Sequence, residues 1–359
     1  MLAEYKRRET GMKKLGFLFI GTGILMMAGN SPMGYLSSLF GRSEQFGKSE
    51  RPAVGQNLRP TSESTRDASQ YRYPTFYRGL YLTVNSANNL EKLKFFVEKA
   101  KSVGLNTLVI DVQIGKQVKC MVPASHVKYC IDNGIHPIAR IVMFPDGLRT
   151  YPISERYIDD RLAIAEDACA NGFKEIQFDY IRFHDSGSTR HLTYAQKYRF
   201  IEQIIIAARN RTKRYNPRIA LDIFGRVPLN KNDIIGQNME SLDQVADVIC
   251  PMAYPSHYTW SKKYYADPYF AVYETSTRAK SRVKNAIIVT YIQAFKMKMS
   301  GIPYDQYVRD QLRAIHDSGV SGFILWNARQ DYDLPLLVVK NFYAERVSKK
   351  ERSSRTIVD

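Results

Sequence analysis

Two aspartates near the ends of apolar, strand-like segments are the residues best suited to do chemistry. Asp179 lies in Glu175-Ile-Gln-Phe-Asp-Tyr-Ile-Arg-Phe-His184, and Asp222 lies in Leu-Asp-Ile-Phe-Gly225. A carboxylate at such a position is costly unless it is paired or opens onto a polar pocket. Two neighbouring carboxyl groups can protonate a leaving oxygen and attack, or activate water, as glycosidic bond cleavage requires. We therefore predict Asp179 and Asp222 as a catalytic pair.

The two aspartates also have structural alternatives and distinct expected roles. Asp179 could cap the next helix or pair with Arg182, and Asp222 could cap the turn that Gly225 allows. We favour catalysis because polar residues recur at the other strand ends. Arg140 on the neighbouring strand would keep Asp179 ionised, as suits a nucleophile or base. Asp222 lacks an obvious cation on its own strand, so a raised pKa would make it the acid.

Further polar and aromatic side chains fall at or near the predicted strand ends. Polar groups there can bind sugar hydroxyls, and aromatic faces can cover the apolar side of a pyranose ring. Structural alternatives are a capping role for Asp111, core packing for Trp326 and loop hydrogen bonding for His257. The predicted substrate-binding residues are Tyr81, Asp111, Arg140, Arg182, Tyr254, His257, Tyr258, Gln293, Trp326 and Asn327.

Other reaction types lack their usual sequence signals. The six histidines are scattered without HxH or HExxH, and the four cysteines form no CxxC pair. No GxSxG motif is present, and lysine is absent from strand ends four to eight. A divalent cation between Asp111 and Asp179 has no support from their spacing. We predict no metal and no cofactor, and Cys120 could bridge Cys130 only in an oxidising compartment.

The elements that must position these residues alternate regularly between strand-like and helix-like patterns. An open doubly wound sheet would carry a glycine-rich phosphate turn after its first strand, and none is present. Eight strand–helix units in about 270 residues instead predict an α/β fold, a (β/α)₈ TIM barrel, with its site at the carboxyl ends of the strands. The predicted strands are 78–84, 106–112, 137–144, 175–184, 219–224, 247–254, 286–293 and 322–327.

The segments that flank the predicted barrel have different compositions. Lys13-Lys14 precede an apolar run from Leu15 to Ala28, the pattern of an export signal, with an uncleaved anchor as the alternative. Residues 41–76 are rich in Ser, Arg, Gln, Gly and Pro, which predicts a flexible linker. We predict a signal peptide or membrane anchor at 1–40, this linker, the barrel at 77–346 and a charged tail at 347–359. The predicted location is the periplasm, cell surface or exterior.

Composition limits the partners that the chain is expected to have. The 359 residues are 44% hydrophobic, enough for one large core, and the net charge is +17. Basic residues are spread along the chain without a long run, so we predict no nucleic-acid partner. The charge favours attraction to an anionic envelope surface. We expect a monomer that binds a polysaccharide or oligosaccharide.

Four ordered motifs carry a resemblance to a known family. They resemble a family of TIM-barrel domains of unknown function that is placed with the glycosyl hydrolase barrels, and the resemblance covers about residues 77–343. It implies a (β/α)₈ barrel in an exported or envelope protein, and glycosidase activity by kinship. The turn at Asp111-Val-Gln-Ile-Gly115 departs from the acidic turn that the family tends to have. The motifs are Phe178-Asp-Tyr-Ile-Arg-Phe183, Asp222-Ile-Phe-Gly225, Pro251-Met-Ala-Tyr-Pro-Ser-His-Tyr258 and Leu325-Trp-Asn-Ala328.

The sequence thus leads to two hypotheses of function from different classes. The first is an exported glycoside hydrolase that cleaves a polysaccharide with a pair of aspartates. The second is a glycan-binding barrel of the cell envelope that has no catalytic turnover, since fold does not fix function. Geometry separates them, because a catalytic pair must share one cleft with its carboxyl groups roughly 5 to 9.5 Å apart.

Overall fold

The expected TIM barrel is confirmed by a computed structural model that describes residues 71–115 and 117–355, with side chains up to Ser348. All strand pairings within the described residues are parallel, and the β5–β6 pairing closes the sheet. β7 and β8 both pair with β6 and together form one barrel strand, so eight strands close the barrel. The strands are β1 (Tyr77–Leu82), β2 (Thr107–Asp111), β3 (His136–Val142), β4 (Glu175–Asp179), β5 (Arg218–Phe224), β6 (Val248–Ala253), β7 (Ile287–Ile288), β8 (Thr290–Gln293) and β9 (Gly322–Trp326).

Helices between the strands cover the outside of the barrel. The strands are mostly buried on both faces, because the helices cover their outer side and the packed barrel interior covers the other. No helix among the described residues is long and apolar enough to span a membrane. The helices are α1 (Val84–Asn88), α2 (Leu90–Ser102), α3 (Ala124–Asp132), α4 (Glu155–Ala170), α5 (Tyr194–Thr212), α6 (Met239–Leu242), α7 (Lys262–Ala266), α8 (Pro268–Ser281), α9 (Tyr304–Ser318) and α10 (Asp333–Arg355).

The predicted strands agree with the observed ones to within two residues at either end, except the fourth. That strand was expected to run to residue 184, but β4 ends at Asp179. Tyr180 has φ of 51°, in the left-handed region, so the chain leaves the sheet directly after Asp179. The early end of β4 turns Asp179 and Tyr180 toward the opening at the carboxyl ends of the strands.

The interior of the barrel is filled with side chains rather than open. Apolar residues such as Val109 and Ile138 pack there beside a buried polar pair. The hydroxyl of Tyr291 donates to Oε1 of Gln177 at 2.7 Å, and Gln177 Nε2 donates to Cys250 Sγ at 3.3 Å. Cys250 and the other three cysteines are free thiols, so the disulfide considered from the sequence is not formed.

The chain enters the barrel from its underside, the amino-terminal ends of the strands. Tyr71 shares a hydrogen bond with Nδ1 of His136 at 2.7 Å. The hydroxyl of Tyr73 donates to the Lys174 carbonyl at 2.9 Å, and its ring lies 4.0 Å from the Arg218 guanidinium. Residues 71–76, which were assigned to the linker, are therefore packed against the barrel. The predicted segment 1–40 and the rest of the linker lie outside the described residues.

The carboxyl-terminal helix is longer than the sequence pattern indicated. α10 continues to Arg355, so most of the tail that was expected from residue 347 continues this helix. Lys, Glu and Arg are good helix formers and need no buried face to extend a helix that is already packed. Earlier in α10, Glu345 pairs with Arg309 of α9 at 2.7 Å.

Candidate active site

A cavity of about 470 Å³ opens at the carboxyl ends of the barrel strands. Both predicted catalytic aspartates line it, as do five of the predicted substrate-binding residues. The alternation of side chains along each strand explains why these predicted residues line the cavity. Residues two apart on a strand face the same side, and the last residue that faces the barrel interior borders the opening. The predicted residues that line the cavity are Asp179, Asp222, Arg140, Tyr254, His257, Tyr258 and Trp326.

Arg140 of β3 forms the electrostatic centre of the cavity. Its Nε donates to Oδ2 of Asp179 at 3.1 Å, and its Nη2 donates to the same oxygen. Nη1 donates to Oδ1 of Asp111, and Oδ2 of Asp222 lies 3.8 Å from Nε. One guanidinium is thus shared by three carboxylates on neighbouring strands, so their charges cannot all be balanced.

Asp222 is the carboxyl group least able to carry a negative charge. Its side chain is 1% exposed, and Oδ1 has no hydrogen-bond partner among the described residues. Burial raises the pKa of Asp222 well above its usual value, the Asp179 carboxylate raises it further, and Arg140 acts in the opposite direction. We expect the proton of this cluster to reside on Asp222.

Asp179 is held through both of its carboxylate oxygens. Oδ2 accepts from Arg140, and Oδ1 accepts from the backbone N–H of Tyr180 at 2.5 Å. Since Asp179 Oδ2 and Asp222 Oδ2 lie 3.1 and 3.8 Å from the same Arg140 Nε, they are at most about 7 Å apart, the sum of these distances. The two carboxyl oxygens therefore lie within the upper limit of roughly 9.5 Å for a catalytic pair.

Tyr81 and Asp111 lie behind Arg140 rather than in the cavity wall. The Tyr81 hydroxyl donates to Oδ2 of Asp111 at 2.5 Å, while Oδ1 of Asp111 accepts from Arg140. The ring of Tyr81 packs on Trp326 with centroids 4.1 Å apart, and Trp326 lies 5.0 Å from the guanidinium. Tyr81 and Asp111, which are predicted to bind substrate, instead fix the position of Arg140.

The Arg140 guanidinium also occupies the space between Asp111 and Asp179, where a divalent cation was considered. Within 71–115 and 117–355, no three His, Cys, Asp or Glu side chains are grouped so as to hold a metal ion. The donor groups of this cluster are therefore engaged by a protein cation.

Arg182 was predicted to bind substrate, but its side chain does not line the cavity. It donates to the carbonyls of Phe183 at 3.0 Å and Asp146 at 3.2 Å. Its guanidinium also lies 4.4 Å from the ring of Phe224, which does line the cavity. Arg182 braces the loops behind the wall, because its guanidinium supplies donors to two loop carbonyl groups.

Gln293 and Asn327 were expected to bind hydroxyls, but their amides bond to loop backbone. Gln293 accepts from Ser256 N–H and donates to the Met297 carbonyl, both at 3.2 Å. Asn327 Nδ2 donates to the carbonyls of Ala294 at 2.6 Å and Asp331 at 2.9 Å. Both amides are used within the protein, so neither is free for a ligand.

Several residues of the cavity wall were not predicted from the sequence. Tyr291 occupies the inward position two residues before Gln293, so the strand period could have identified it. Trp260 lies two residues after Tyr258 in an aromatic-rich segment, so its residue type and place in the sequence were a usable signal. The loop residues give no periodic signal, because their direction depends on contacts between loops. The unpredicted residues are Tyr180, Phe224, Gly225, Arg226, Met252, Ser256, Thr259, Trp260, Tyr291, Met297 and Lys298.

The sequence profile of one protein family matches residues 149–332, and this family is described as "Putative glycosyl hydrolase domain". The matched region contains both cavity aspartates and the segments from α4 to β9. No curated protein sequence matches the chain significantly.

Solved structures with the same fold include glycoside hydrolases. The PgaB (BpsB) glycoside hydrolase domain from Bordetella bronchiseptica has a TM-score of 0.57 and 10% identity, covering 73% of this chain and 98% of that chain. The endo-1,4-beta-mannanase from Rhizomucor miehei has a TM-score of 0.57 and 10% identity, and the match covers 79% of this chain and 97% of that chain. The spore cortex-lytic enzyme SleL from Bacillus megaterium QM B1551 has a TM-score of 0.50 and 13% identity, covering 75% of each chain. At these identities the likeness shows the barrel fold alone.

Proposed function

Because the chain belongs to the family described as "Putative glycosyl hydrolase domain", we propose that it hydrolyses a polysaccharide with Asp179 and Asp222 as its catalytic residues. One observation carries the assignment of residues. Both carboxyl groups line the same cavity and lie against one guanidinium, that of Arg140. A glycoside hydrolase needs two such carboxyl groups in one cleft.

The protonation states follow from the charges around Arg140. Asp179 accepts hydrogen bonds from two donors of the guanidinium, so it is the carboxyl group that Arg140 pairs with most closely at the cavity. Asp222 is buried, has an oxygen without a partner among the described residues and has a raised pKa. We therefore assign Asp222 as the general acid and Asp179 as the carboxylate that acts on the sugar.

We propose a retaining mechanism, because the upper limit on the distance between the two carboxyl oxygens excludes most of the range that inverting enzymes use. Retaining enzymes hold the pair about 5 to 5.5 Å apart, and inverting enzymes hold it about 6.5 to 9.5 Å apart. The upper limit of about 7 Å includes the first range and only the edge of the second. An oxygen of Asp179 would bond to the anomeric carbon while the glycosidic C–O bond breaks and Asp222 gives its proton to the leaving oxygen. Asp222 would then take a proton from the water that displaces Asp179.

The glycan-binding alternative accounts for less of the site. Aromatic residues around the cavity, among them Tyr254, Tyr258 and Trp326, suit either function, because both must bind sugar rings. A binding protein has no need for a buried acid beside a fixed carboxylate, since burying Asp222 with Oδ1 lacking a partner among the described residues costs stability. This cost has a ready explanation if Asp222 donates a proton during turnover.

The test is a screen of the protein against a polysaccharide panel, followed by two substitutions. Asp179→Asn should remove turnover while folding and glycan binding persist, because the neutral amide cannot attack the anomeric carbon. Asp222→Asn should spare substrates whose leaving group needs no protonation, because a general acid contributes little to them. Near-normal turnover in Asp179→Asn contradicts the assignment, as does an equal loss of activated and natural substrates in Asp222→Asn.

We also propose that the protein is exported and acts on an envelope or environmental polysaccharide. The proposal is supported by the Lys13-Lys14 pair with the apolar run after it, and by the net charge of +17. An enzyme for an extracellular polymer must reach that polymer outside the cytoplasm, so export and substrate class agree.

A further inference from the structure

Two loops face each other on one side of the cavity, and we call them the β6–β8 rim. The rim consists of residues 256–260 after β6 and residues 297–298 after β8, all of which line the cavity. Gln293 joins the loops, since its amide accepts from Ser256 N–H and donates to the Met297 carbonyl, both at 3.2 Å. Lys298 follows Met297 directly, so this bridge fixes Ser256 and the backbone next to Lys298 with respect to each other.

The hydroxyl of Ser256 is an unused hydrogen-bonding group in the cavity wall. Ser256 is 2% exposed and lines the cavity, and its Oγ has no hydrogen-bond partner among the described residues. Buried polar atoms in folded proteins nearly always have a partner, and an exception needs an explanation. A polar group of a bound molecule would supply the missing partner.

Lys298 supplies a positive charge that the described part of the protein does not balance. No acidic side chain among the described residues pairs with Lys298, whose backbone has φ of 46°. Arg226, another cation of the wall, pairs with Asp233 at 2.8 Å and Asp185 at 2.5 Å. Arg140 is already shared by three carboxylates. Among the described residues of the cavity wall, the cation that lacks an acidic partner is therefore Lys298, on the β6–β8 rim.

His257 is neutral beside the Lys298 ammonium. Burial of the ring lowers the pKa of His257, and the charge of Lys298 lowers it further. The imidazole is therefore neutral near neutral pH, and it offers a hydrogen bond rather than a second charge. The positive charge at this end of the cavity comes from Lys298.

Trp260 gives the same rim an exposed aromatic face. Its side chain is 58% exposed, although it borders the cavity. Its ring packs on Tyr258, with centroids 5.0 Å apart. The hydroxyl of Tyr258 bonds to Thr275 at 2.7 Å, and its ring stacks on Tyr264 at 5.3 Å. Trp260 is thus supported by a fixed ring and leaves a face open for a sugar.

We infer that the β6–β8 rim is a subsite for a sugar residue that carries a negative charge. The sugar ring lies on Trp260, and its anionic substituent lies at the ammonium of Lys298 and the hydroxyl of Ser256. Carboxylate, sulfate and phosphate ester share the chemistry that these groups recognise. The inference rests on the proposed function, because it takes the ligand to be part of the glycan substrate.

The test compares matched oligosaccharides that differ only in charge. The full chain with Asp179→Asn is titrated with an oligouronide and its methyl ester, and with a sulfated oligosaccharide and its desulfated form. The acidic member should bind about 10-fold more tightly, and 0.5 M NaCl should reduce this preference. Lys298→Met should abolish the preference, whereas Lys296→Met should keep it, because Lys296 lies over the Tyr304 ring at 5.4 Å. Trp260→Ala should weaken both members of a pair equally.

The outcomes separate the two proposals. If neutral and acidic members bind equally, or if Lys298→Met keeps the preference, the subsite is wrong and the hydrolase stands. If no oligosaccharide binds and none is cleaved by the wild-type chain, both proposals fail. If the acidic member of one pair binds more tightly, that pair identifies the anionic substituent, because the uronide and sulfate pairs are measured separately.

Discussion

At Arg140, burial opposes the positive charge, but the carboxylates of Asp179, Asp111 and Asp222 raise the pKa of this arginine above its usual value. The guanidinium therefore stays charged at any working pH, and proton exchange in the cluster occurs on a carboxyl group. Asp222 is the group with the raised pKa. Burial and the neighbouring carboxylates raise the pKa of Asp222 although Arg140 opposes them, whereas Asp179 receives two hydrogen bonds from the same arginine, so two chemically identical side chains have different surroundings.

The raised pKa of Asp222 predicts a pH-dependent stability. A carboxyl group whose pKa is higher in the folded state stabilises the fold below its ordinary pKa, and this contribution is lost as pH rises through the folded-state pKa. Asn cannot ionise, so Asp222→Asn should gain stability over the wild type as pH rises from about 4 to 8. Urea unfolding across this range measures the difference.

The matched control for this measurement is Asp132→Asn, on the exposed side of α3, where the aspartate pairs with Lys128. An exposed pair of this kind contributes little to stability, so the control should follow the wild type. A constant difference between Asp222→Asn and the wild type at every pH would show that Asp222 does not titrate abnormally.

Asp111 should act as a positioning residue that also tunes the acid. Its negative charge is one of the causes of the raised pKa of Asp222, and it holds Arg140. Asp111→Asn should therefore move the upper limb of the kcat/KM pH profile to lower pH and reduce the rate by up to about 100-fold. Tyr81→Phe keeps the charge and should reduce the rate without moving that limb. A uniform loss at all pH values in Asp111→Asn would leave Asp111 with a structural role alone.

At the scale of elements, the strand pattern predicted all eight barrel strands because each is a short apolar run between polar turns. It also predicted the pairing of Arg140 with Asp179, since residues at the ends of adjacent parallel strands are neighbours. The pattern failed at Tyr180, where one left-handed residue ends β4, and at Gln293, whose amide turns to the loops. These features depend on contacts between distant loops, which no local pattern records.

At the scale of elements, we predict that Gln293 stabilises the fold, because it links the loops after β6 and β8. Gln293→Met would leave the Ser256 N–H and the Met297 carbonyl without this partner, and should lower the free energy of unfolding by about 1–3 kcal/mol. Trypsin should also cut faster at Lys296 and Lys298. Gln306→Met, on the exposed face of α9, is the control, and equal unfolding curves for the two variants would contradict the linking role.

For the whole molecule, we propose that export precedes function. The mature chain should begin between about Gly29 and Gly47, or remain attached to a membrane through the apolar run that starts at Leu15. Cell fractionation with mass spectrometry of the amino terminus distinguishes these outcomes. Intact full-length protein in the soluble cytoplasm would contradict the proposal.

The chain enters at the amino-terminal face of the barrel, and this determines how the barrel would be oriented if it were attached to a surface. Tyr71 and Tyr73 hold the incoming chain at the amino-terminal pole, while the cavity opens at the opposite pole. A barrel tethered through the residues before Tyr71 would present its opening away from the surface that holds it. A long glycan could then lie across the mouth without meeting the tether, so attachment and access to substrate need not compete.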